Sequence, residues 1–246
     1  GPGGVQEQRV VTDCDVAVMC GVKSRELFRE HAKNGIHTVY LDKGYSRHSL
    51  MGAVRGWEYW RVAVDAHHPT TKFRWDYPSD RRENIGWSFK PWREKGDHII
   101  LAGSSQKYHD FYNLKEPTEW ALNVIKKIRR VTDRKIIYRP KASYKAAVPI
   151  DGVGYSTGSE DIYSVLAGAH ALITHGSNAC FEAILSGVPC VILGDAIAKP
   201  LSSTAPEDIE FPRLATAYER TCWLNFLTYH QFTLSEFASG QAWKTI

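Results

Sequence analysis

The chain has 246 residues, a formal net charge of +4, 43% hydrophobic residues and 24% charged residues. These values are ordinary for a soluble globular protein, and no apolar run reaches the roughly 18 residues that a membrane-spanning helix needs. The five cysteines are scattered without a CxxC pair, which argues against a structural zinc site and favours a reducing compartment. We therefore expect a cytoplasmic protein without a membrane span. The mild positive charge permits an anionic substrate or nucleic acid without requiring either.

The chain opens with a predicted β-α-β unit. Residues 15–21 form an apolar run that predicts a buried strand, residues 24–33 predict a helix, and residues 36–41 predict the next strand. Parallel strands need a crossover of about this length, so the pattern is typical of an α/β sheet. A polar segment begins at Asp42, directly after the second strand, and ligands bind beyond the carboxyl ends of strands in such sheets.

Aromatic residues and arginines are interleaved in the next part of the chain. Residues 60–65 alternate like a strand, and a break follows at His67-His68-Pro69. The mixture suits stacking on sugars or bases beside phosphate contacts, but a tryptophan-rich core with a solvated basic rim explains it as well. Residues 79–96 contain Pro91 and several charges and predict a loop or interdomain linker. The members of this aromatic and arginine cluster are Arg55, Trp57, Tyr59, Trp60, Arg61, Phe73, Arg74, Trp75, Tyr77, Arg81, Arg82, Trp87, Trp92 and Arg93.

A second α/β unit begins near residue 98. The apolar segment 98–103 predicts a strand, and a small polar loop with Ser104 follows it. Residues 118–131 predict a helix with one apolar face. The next predicted strand ends in two cations, Arg139 and Lys141, around a proline. They are candidates for neutralising a bound diphosphate, or they are surface charges at a strand end.

Residues 170–194 read HALITHGSNACFEAILSGVPCVILG and predict a strand, a turn, a helix and a second strand. The glycine-bearing turn at 175–178 lets the backbone approach a ligand closely, and the helix start that follows favours phosphate. Glu182 lies in this helix among apolar residues, where a buried carboxylate needs a partner. A pair of ribose hydroxyls would satisfy it, and so would a neighbouring arginine in an ordinary Rossmann-like half.

The last part of the chain predicts a polar loop and two helices. Residues 195–212 contain several prolines and serines, and we expect this loop to fold over a bound sugar. Residues 214–229 predict an amphipathic helix. Thr233 and Glu236 have the spacing of a capping box, which predicts the start of a final helix.

The segment 170–194 resembles the donor-binding domain of GT-B glycosyltransferases, most closely the bacterial and phage capsule-type branch. In that branch a GSxxxFEAxxxGxP pattern binds a nucleotide-sugar. The resemblance implies an α/β fold of two Rossmann-like domains facing a cleft, with the N-terminal domain reduced and the C-terminal helices packing back. The implied ranges are 5–95 for the acceptor-side domain, 96–212 for the nucleotide-sugar-binding domain and 213–246 for the returning helices. The matching residues are Gly176, Ser177, Phe181, Glu182, Ala183, Gly187 and Pro189.

The resemblance also implies roles for individual residues. It places a diphosphate near Ser177 and Asn178 and the nucleoside ribose at Glu182. A looser similarity to a DxGY…R…YxR run implies an acceptor side at Tyr45, Arg47 and Arg61. The implied donor-binding residues are Ser104, Arg139, Lys141, His175, Gly176, Ser177, Asn178 and Glu182. The candidates for a catalytic base, chosen by their position near predicted strand ends, are Asp42, His48 and Asp65.

These features predict a transferase that moves a sugar from a nucleotide-sugar, most simply a UDP-sugar, to a hydroxyl acceptor. No metal and no permanently bound cofactor are expected, because GT-B enzymes neutralise the leaving diphosphate with N–H groups and cations. The phage-like resemblance and the basic first half suggest a hydroxymethylated pyrimidine in DNA as acceptor, and a capsule or cell-surface polysaccharide competes with it. The alternative functions are a sugar-nucleotide epimerase and a non-catalytic nucleotide-sugar-binding module.

Overall fold

Two β-sheets carry the fold. The structure is a computed structural model that describes residues 13–21, 25–45 and 59–246. One sheet has four strands and the other has five. No helix within these described ranges is long and apolar enough to cross a membrane. Two predicted site residues, Arg47 and His48, lie outside the described ranges.

The first sheet combines amino-terminal strands with one strand from the carboxyl-terminal end. Its strands are β1 (Val16–Cys20), β2 (His37–Lys43), β3 (Tyr59–Val64) and β9 (Gln231–Thr233). Helix α1 (Arg25–Lys33) connects β1 to β2. The strand order is β1-β2-β3-β9. Strands β1 and β2 are parallel, as the β-α-β pattern predicts, and β3 runs antiparallel to both β2 and β9. The prediction that β1 is buried is wrong, because Val16 and Val18 share one face of this edge strand and are 48% and 57% exposed.

The second sheet is wholly parallel. Its strands are β4 (His98–Ala102), β5 (Lys135–Arg139), β6 (Gly154–Tyr155), β7 (Ala169–Thr174) and β8 (Cys190–Ile192). The intervening helices are α3 (Gln106–Tyr112), α4 (Pro117–Ile128), α5 (Ile162–Leu166) and α6 (Ala179–Leu185). The strand order is β6-β5-β4-β7-β8, with β4, β5 and β7 side by side. The strand, turn, helix and strand predicted over 170–194 are confirmed.

Both faces of the second sheet are covered, which explains why its strands read as continuous apolar runs. On one face Ile99 and Leu101 pack in a cluster with Ile128 of α4. On the other face Ile100 belongs to a cluster with Phe181 of α6. The strand residues Ile99, Ile100 and Leu101 are fully buried. This rigid sheet holds the loops at its carboxyl edge in place.

The segment 79–96 begins with a helix and continues without regular secondary structure, so the prediction of a loop is wrong for its first part and confirmed for residues 87–96. It contains α2 (Asp80–Ile85), which lies against α7 (Ala217–Thr228). Farther along, the Lys90 N–H donates to the Leu185 carbonyl at 2.8 Å. The segment therefore contacts both α6 and α7. The domain boundaries at 95/96 and 212/213 stay a prediction.

The aromatic and arginine cluster, where the structure describes it, belongs to the core and its supports. Trp87 is buried, and Phe73 and Trp92 pack against the same apolar cluster. The arginines are engaged within the chain: Arg81 donates to the Thr228 and Gln231 carbonyls and pairs with Glu236, Arg82 donates to Asn225, Arg74 pairs with Asp76, and Arg93 donates to the Leu166 carbonyl. Of the two interpretations of this pattern, a core with a solvated basic rim accounts for these residues: Arg74 lies in the rim, and Trp75 is 40% exposed.

Residues 195–212 form part of the core instead of the expected cover over a sugar. Ile197 and Leu201 are fully buried, and Trp223 Nε1 donates to the Ile197 carbonyl at 2.7 Å. The polar composition of this segment is misleading because apolar residues within it point inward.

The carboxyl-terminal segment returns to the first sheet through β9, which the sequence did not predict. The capping box of Thr233 and Glu236 is confirmed. The single final helix is divided into α8 (Leu234–Ala238) and α9 (Gln241–Thr245). The break lies at Gly240, whose φ of +78° is the left-handed conformation that favours glycine.

One buried arginine ties α7 to the rest of the second half. The Arg220 guanidinium is 2% exposed and lies between the rings of Phe89 and Trp92, 3.9 and 4.0 Å from their centroids. Its Nη2 donates to the carbonyls of Lys90 and Ile184 at 2.6 and 2.8 Å. Burial lowers the pKa of Arg220 to about 10, so the group remains a cation at neutral pH.

We predict that Arg220→Ala lowers the free energy of unfolding by about 3 kcal/mol, because it removes two charge-assisted hydrogen bonds and leaves a cavity. Denaturant unfolding followed by tryptophan fluorescence measures the change. The control is Arg74→Ala, whose ion pair with Asp76 is exposed and should leave the unfolding midpoint almost unchanged. Equal midpoints for the two variants would contradict the role given to Arg220.

Candidate functional site

Two adjoining cavities open where the carboxyl edge of the second sheet meets the first sheet. The first cavity, of about 220 Å³, is lined by Tyr45, Ala102, Gly103, Arg139, Pro140, Lys141, Ala142, Gly158, Ile162, Ser177, Asn178, Ala179 and Glu182. The second cavity, of about 180 Å³, is lined by Asp42, Arg61, His67, His68, Ser104, Ser105, Tyr108, Lys141, Gly176, Ser177 and Asn178. The two share Lys141, Ser177 and Asn178. Most of the predicted site residues that the structure describes therefore converge at one place.

The turn at 175–178 is held tightly at the end of β7. Thr174 Oγ1 donates to the Ala102 carbonyl at 2.8 Å and accepts the Ser177 N–H at 3.0 Å. At Gly176 an added Cβ would lie 1.7 Å from Tyr108 Oη, so only glycine fits. The Ser177 N–H is thus engaged by Thr174, a residue that the sequence did not single out. Ser177 and Asn178 line both cavities.

The first cavity has a carboxylate on one wall and a structural arginine on another. Glu182 is 7% exposed in the first turn of α6. Arg139 donates to Ser156 Oγ at 2.7 Å, to the Thr157 carbonyl at 3.1 Å and to the Glu160 carbonyl. Burial lowers the pKa of Arg139. The negative charges of nearby carboxylates, including Glu182, oppose this shift but do not cancel it. Arg139 therefore holds the wall formed by residues 156–160, and Lys141 is the cation that lines both cavities.

The second cavity has a buried ion pair in its wall. Arg61 is 3% exposed, and its Nη2 donates to Asp42 Oδ2 at 3.0 Å. The Tyr40 and Tyr45 rings lie 5.6 and 5.5 Å from the guanidinium carbon. Burial would raise the pKa of Asp42, but the Arg61 charge and the Lys43 N–H outweigh it and hold that pKa below its usual value. Asp42 is therefore an ionised carboxylate.

Two histidines in the second cavity were not identified from the sequence. The Nδ1 of His67 lies 2.9 Å from Tyr112 Oη, which in turn donates to Asp195 Oδ2 at 3.2 Å. Burial and then the Arg61 charge lower the pKa of His67 to about 3, so its ring is neutral. His68 lies beside it, 2.9 Å from Arg61. The sequence shows them as a pair of polar rings after a predicted strand, a pattern typical of a strand break.

His175 is the first residue of the turn at 175–178; its side chain packs behind this turn and lines neither cavity. Its Nδ1 lies 3.0 Å from Tyr108 Oη, and its ring fills the space where a Cβ on Gly194 would lie. Burial is the first cause that lowers the pKa of His175 to about 4. The position does not support a direct donor contact, and His175 instead orients the tyrosine that covers Gly176.

Asp65 lies at the opposite end of the first sheet from Asp42. It accepts the Thr38 N–H at 2.9 Å and contacts His37 Nδ1 at 3.0 Å. Thr38 and Asp42 are four residues apart on β2, or about 13 Å. The strand-end rule misplaced Asp65 because β3 is antiparallel, so its carboxyl end points away from the cavities. Asp65 fixes the start of β2, and this position does not support a role as base.

Two further predicted site residues, Tyr45 and Ser104, line one cavity each. Tyr45 is fully buried, lines the first cavity and stacks on Phe181 with ring centroids 6.1 Å apart. Ser104 is buried in the second cavity, next to Ser105, which caps α3. Within the described ranges no group of three or more histidine, cysteine, aspartate or glutamate side chains is arranged to hold a metal ion.

Comparisons with known proteins identify the fold. No protein-family model and no curated protein matches the chain. A solved structure of Thermosulfurimonas dismutans KpsC, β-Kdo 2,4 transferase, is similar with a TM-score of 0.56 and 13% identity, over 91% of this chain and 82% of that one. A second, KpsC β-Kdo 2,7 transferase of the same organism, gives 0.55 and 12%, over 94% and 84%. At such low identity the likeness shows the fold alone: the chain has a GT-B-like α/β fold, as the sequence predicts.

Proposed function

We propose that the chain is a glycosyltransferase that binds a nucleotide-sugar in the first cavity and transfers the sugar to a hydroxyl acceptor at the second. The observation that carries the proposal is the convergence of strand-end loops from one sheet with Asp42 and Arg61 of the other. The GT-B-like fold supports it, because both structural neighbours are Kdo transferases. The residues shared by the two cavities would hold the diphosphate between them.

The donor side has the chemistry that a leaving diphosphate requires. Lys141 supplies a cation that reaches both cavities, and the Ser177 and Asn178 side chains supply hydrogen-bond donors. Positive charge and fixed donors at the leaving group lower the barrier to transfer. Glu182 lies on the first cavity, where two ribose hydroxyls would donate to its carboxylate. A UDP-sugar is our proposed donor, and we propose that transfer needs no metal.

The acceptor side has an ionised carboxylate beside a buried cation. Among the three candidate bases, Asp42 is the one that the described structure places on a cavity wall. Because its pKa is lowered, Asp42 is a weak base. Besides taking the proton of the acceptor hydroxyl, Asp42 would orient that hydroxyl and stabilise the positive charge that develops near it.

A saccharide hydroxyl is the acceptor that the observations favour. The arginines that suggested DNA are engaged within the chain where the structure describes them, and neither structural neighbour has a name that refers to DNA. A hydroxymethylated pyrimidine in DNA is therefore the second acceptor to assay. An epimerase or a binding module would fit the same fold.

Three assays on the purified chain separate these functions. Melting shifts with UDP-, GDP-, CMP- and dTDP-sugars identify the donor, since ligands that bind the folded state raise the melting temperature. Nucleotide release that requires an acceptor supports transfer. Interconversion of the sugar without an acceptor would instead indicate an epimerase, and stabilisation without either reaction would indicate a binding module.

We predict that Glu182→Ala weakens UDP binding by about 1–3 kcal/mol, because charge-assisted hydrogen bonds to ribose are lost. Isothermal titration calorimetry measures the affinity, and circular dichroism checks that the variant is folded. The control is Glu119→Ala on the exposed side of α4, which should bind UDP like the parent. An unchanged affinity in folded Glu182→Ala would remove this residue from the site.

We predict that Asp42→Asn lowers kcat by about 10²-fold or more while leaving donor affinity nearly unchanged, because the carboxylate acts on the acceptor. The matched control is Asp65→Asn, which loses a contact at the far end of β2 and should lower thermal stability without a comparable loss in kcat. The reverse pattern, with Asp65 essential and Asp42 dispensable, would contradict the assignment.

A further inference from the structure

A row of polar side chains crosses from the second sheet to the first. Asp195 follows β8, and its Oδ2 accepts a hydrogen bond at 3.2 Å from the hydroxyl of Tyr112, the last residue of α3. The same hydroxyl oxygen lies 2.9 Å from Nδ1 of His67, which follows β3 in the first sheet. Nε2 of His67 faces Arg61 Nη2 at 3.5 Å. The row therefore links the second half of the chain to the ion pair of Arg61 and Asp42.

The donors and acceptors in this row fix the tautomer of His67. Tyr112 has one hydroxyl hydrogen and gives it to Asp195, so its oxygen must accept from His67 Nδ1–H. Burial and then the Arg61 charge lower the pKa of His67 to about 3, so the ring has one N–H and Nε2 has a lone pair. This lone pair faces a guanidinium, which has only hydrogens to donate. The other tautomer would place an N–H of His67 against an N–H of Arg61.

The carboxylate at the start of the row has stabilising partners. Burial raises the pKa of Asp195, but the hydrogen bond from Tyr112 and the charges of Lys199, Arg61 and Arg25 oppose that shift. A carboxylate is a stronger acceptor than a neutral imidazole nitrogen, so the hydroxyl hydrogen of Tyr112 goes to Asp195.

His68 meets the same guanidinium with its other ring nitrogen. Its Nδ1 lies 2.9 Å from Arg61 Nη1 and must accept, so the hydrogen of this neutral ring is on Nε2. The two consecutive histidines therefore have opposite tautomers. Arg61 Nη2 also donates to Asp42 Oδ2 at 3.0 Å. Two imidazole lone pairs and one carboxylate thus hold the guanidinium in a single orientation.

We propose that Tyr112 and Asp195 are positioning residues of the acceptor side, which keep His67 in the Nδ1–H tautomer and so keep the Arg61 guanidinium aimed at Asp42. Neither Tyr112 nor Asp195 lines either of the two described cavities, so both act through His67. The acceptor side of the first sheet is then complete only with a contribution from the second half of the chain. This inference deepens the proposed function and rests on it for the view that Asp42 acts on a substrate.

The parent chain tests the tautomers without any ligand. Long-range ¹H–¹⁵N spectra of the full chain with ¹⁵N-labelled histidine distinguish the two neutral tautomers, and single histidine-to-glutamine variants assign the signals. We expect His67 in the Nδ1–H form and His68 in the Nε2–H form at neutral pH. A parent chain with His67 in the Nε2–H form would overturn the proposal, whatever the variants do.

Removing the carboxylate should reverse the row. In Asp195→Ala the Tyr112 hydrogen is free to be donated to His67 Nδ1, so we expect His67 to change to the Nε2–H form. The matched control is Tyr229→Phe, which removes a hydroxyl from an exposed contact with Asp80 and should leave the histidine signals in place. Retention of the Nδ1–H form in folded Asp195→Ala would contradict the role of Asp195.

Removing the hydroxyl tests the effect on the ion pair. In Tyr112→Phe the orientation of Arg61 is less restricted, while Tyr40 and the Lys43 N–H still contact Asp42. The lowered pKa of Asp42 should therefore rise toward its usual value, which a pH titration of its ¹³C carboxyl signal measures. Transfer should show a roughly tenfold lower kcat with an unchanged KM for the donor, as expected for one lost hydrogen bond on the acceptor side.

The outcomes separate this inference from the proposed function. The predicted tautomers and the predicted Asp42 shift in a chain that transfers no sugar would reject the transferase and leave the positioning role standing. Parental kcat and an unchanged Asp42 titration in folded Tyr112→Phe would reject the positioning role and leave the transferase standing.

Discussion

The ion pair between the buried Arg61 guanidinium and Asp42 controls the electrostatics where the two sheets meet. Arg61 is 3% exposed and lies at the end of the first sheet that faces the second. Its charge keeps Asp42 ionised and helps to keep both neighbouring histidines neutral. Removing Asp42 would leave the buried Arg61 charge without its ion-pair partner. The cavity wall therefore has a fixed charge pattern before any ligand arrives, which is the condition for electrostatic preorganisation.

The second sheet contributes a rigid framework for the charged side chains of Lys141 and Glu182. Its parallel strands are covered on both faces, and the loops at their carboxyl ends are held by side chains such as Thr174 and Arg139. Tyr108 closes the space over Gly176 and reaches the Asp195 carbonyl. The site thus combines a preformed loop region from one sheet with a charged strand end from the other. This arrangement accounts for a cleft between the two sheets.

Local signals in the sequence predicted much of this fold because they depend on neighbouring residues. The strand and helix around Glu182 and the capping box at Thr233 are examples. The errors arose where distant parts of the chain decide the outcome. Strand β9 exists because it pairs with β3, and His67 is held in the cavity wall by Tyr112, which lies 45 residues farther along the chain. The prediction for Asp65 is wrong because the sequence does not reveal that β3 is antiparallel. The aromatic and arginine cluster is ambiguous in the sequence because composition does not distinguish a core from a binding surface.

A crystal structure of the chain with a bound UDP-sugar tests the central claim most directly. We predict ribose hydroxyls within hydrogen-bonding distance of the Glu182 carboxylate, the diphosphate beside Lys141, Ser177 and Asn178, and the sugar directed toward Asp42 and Arg61. A nucleotide bound elsewhere on the chain, with both cavities holding only water, would contradict this prediction.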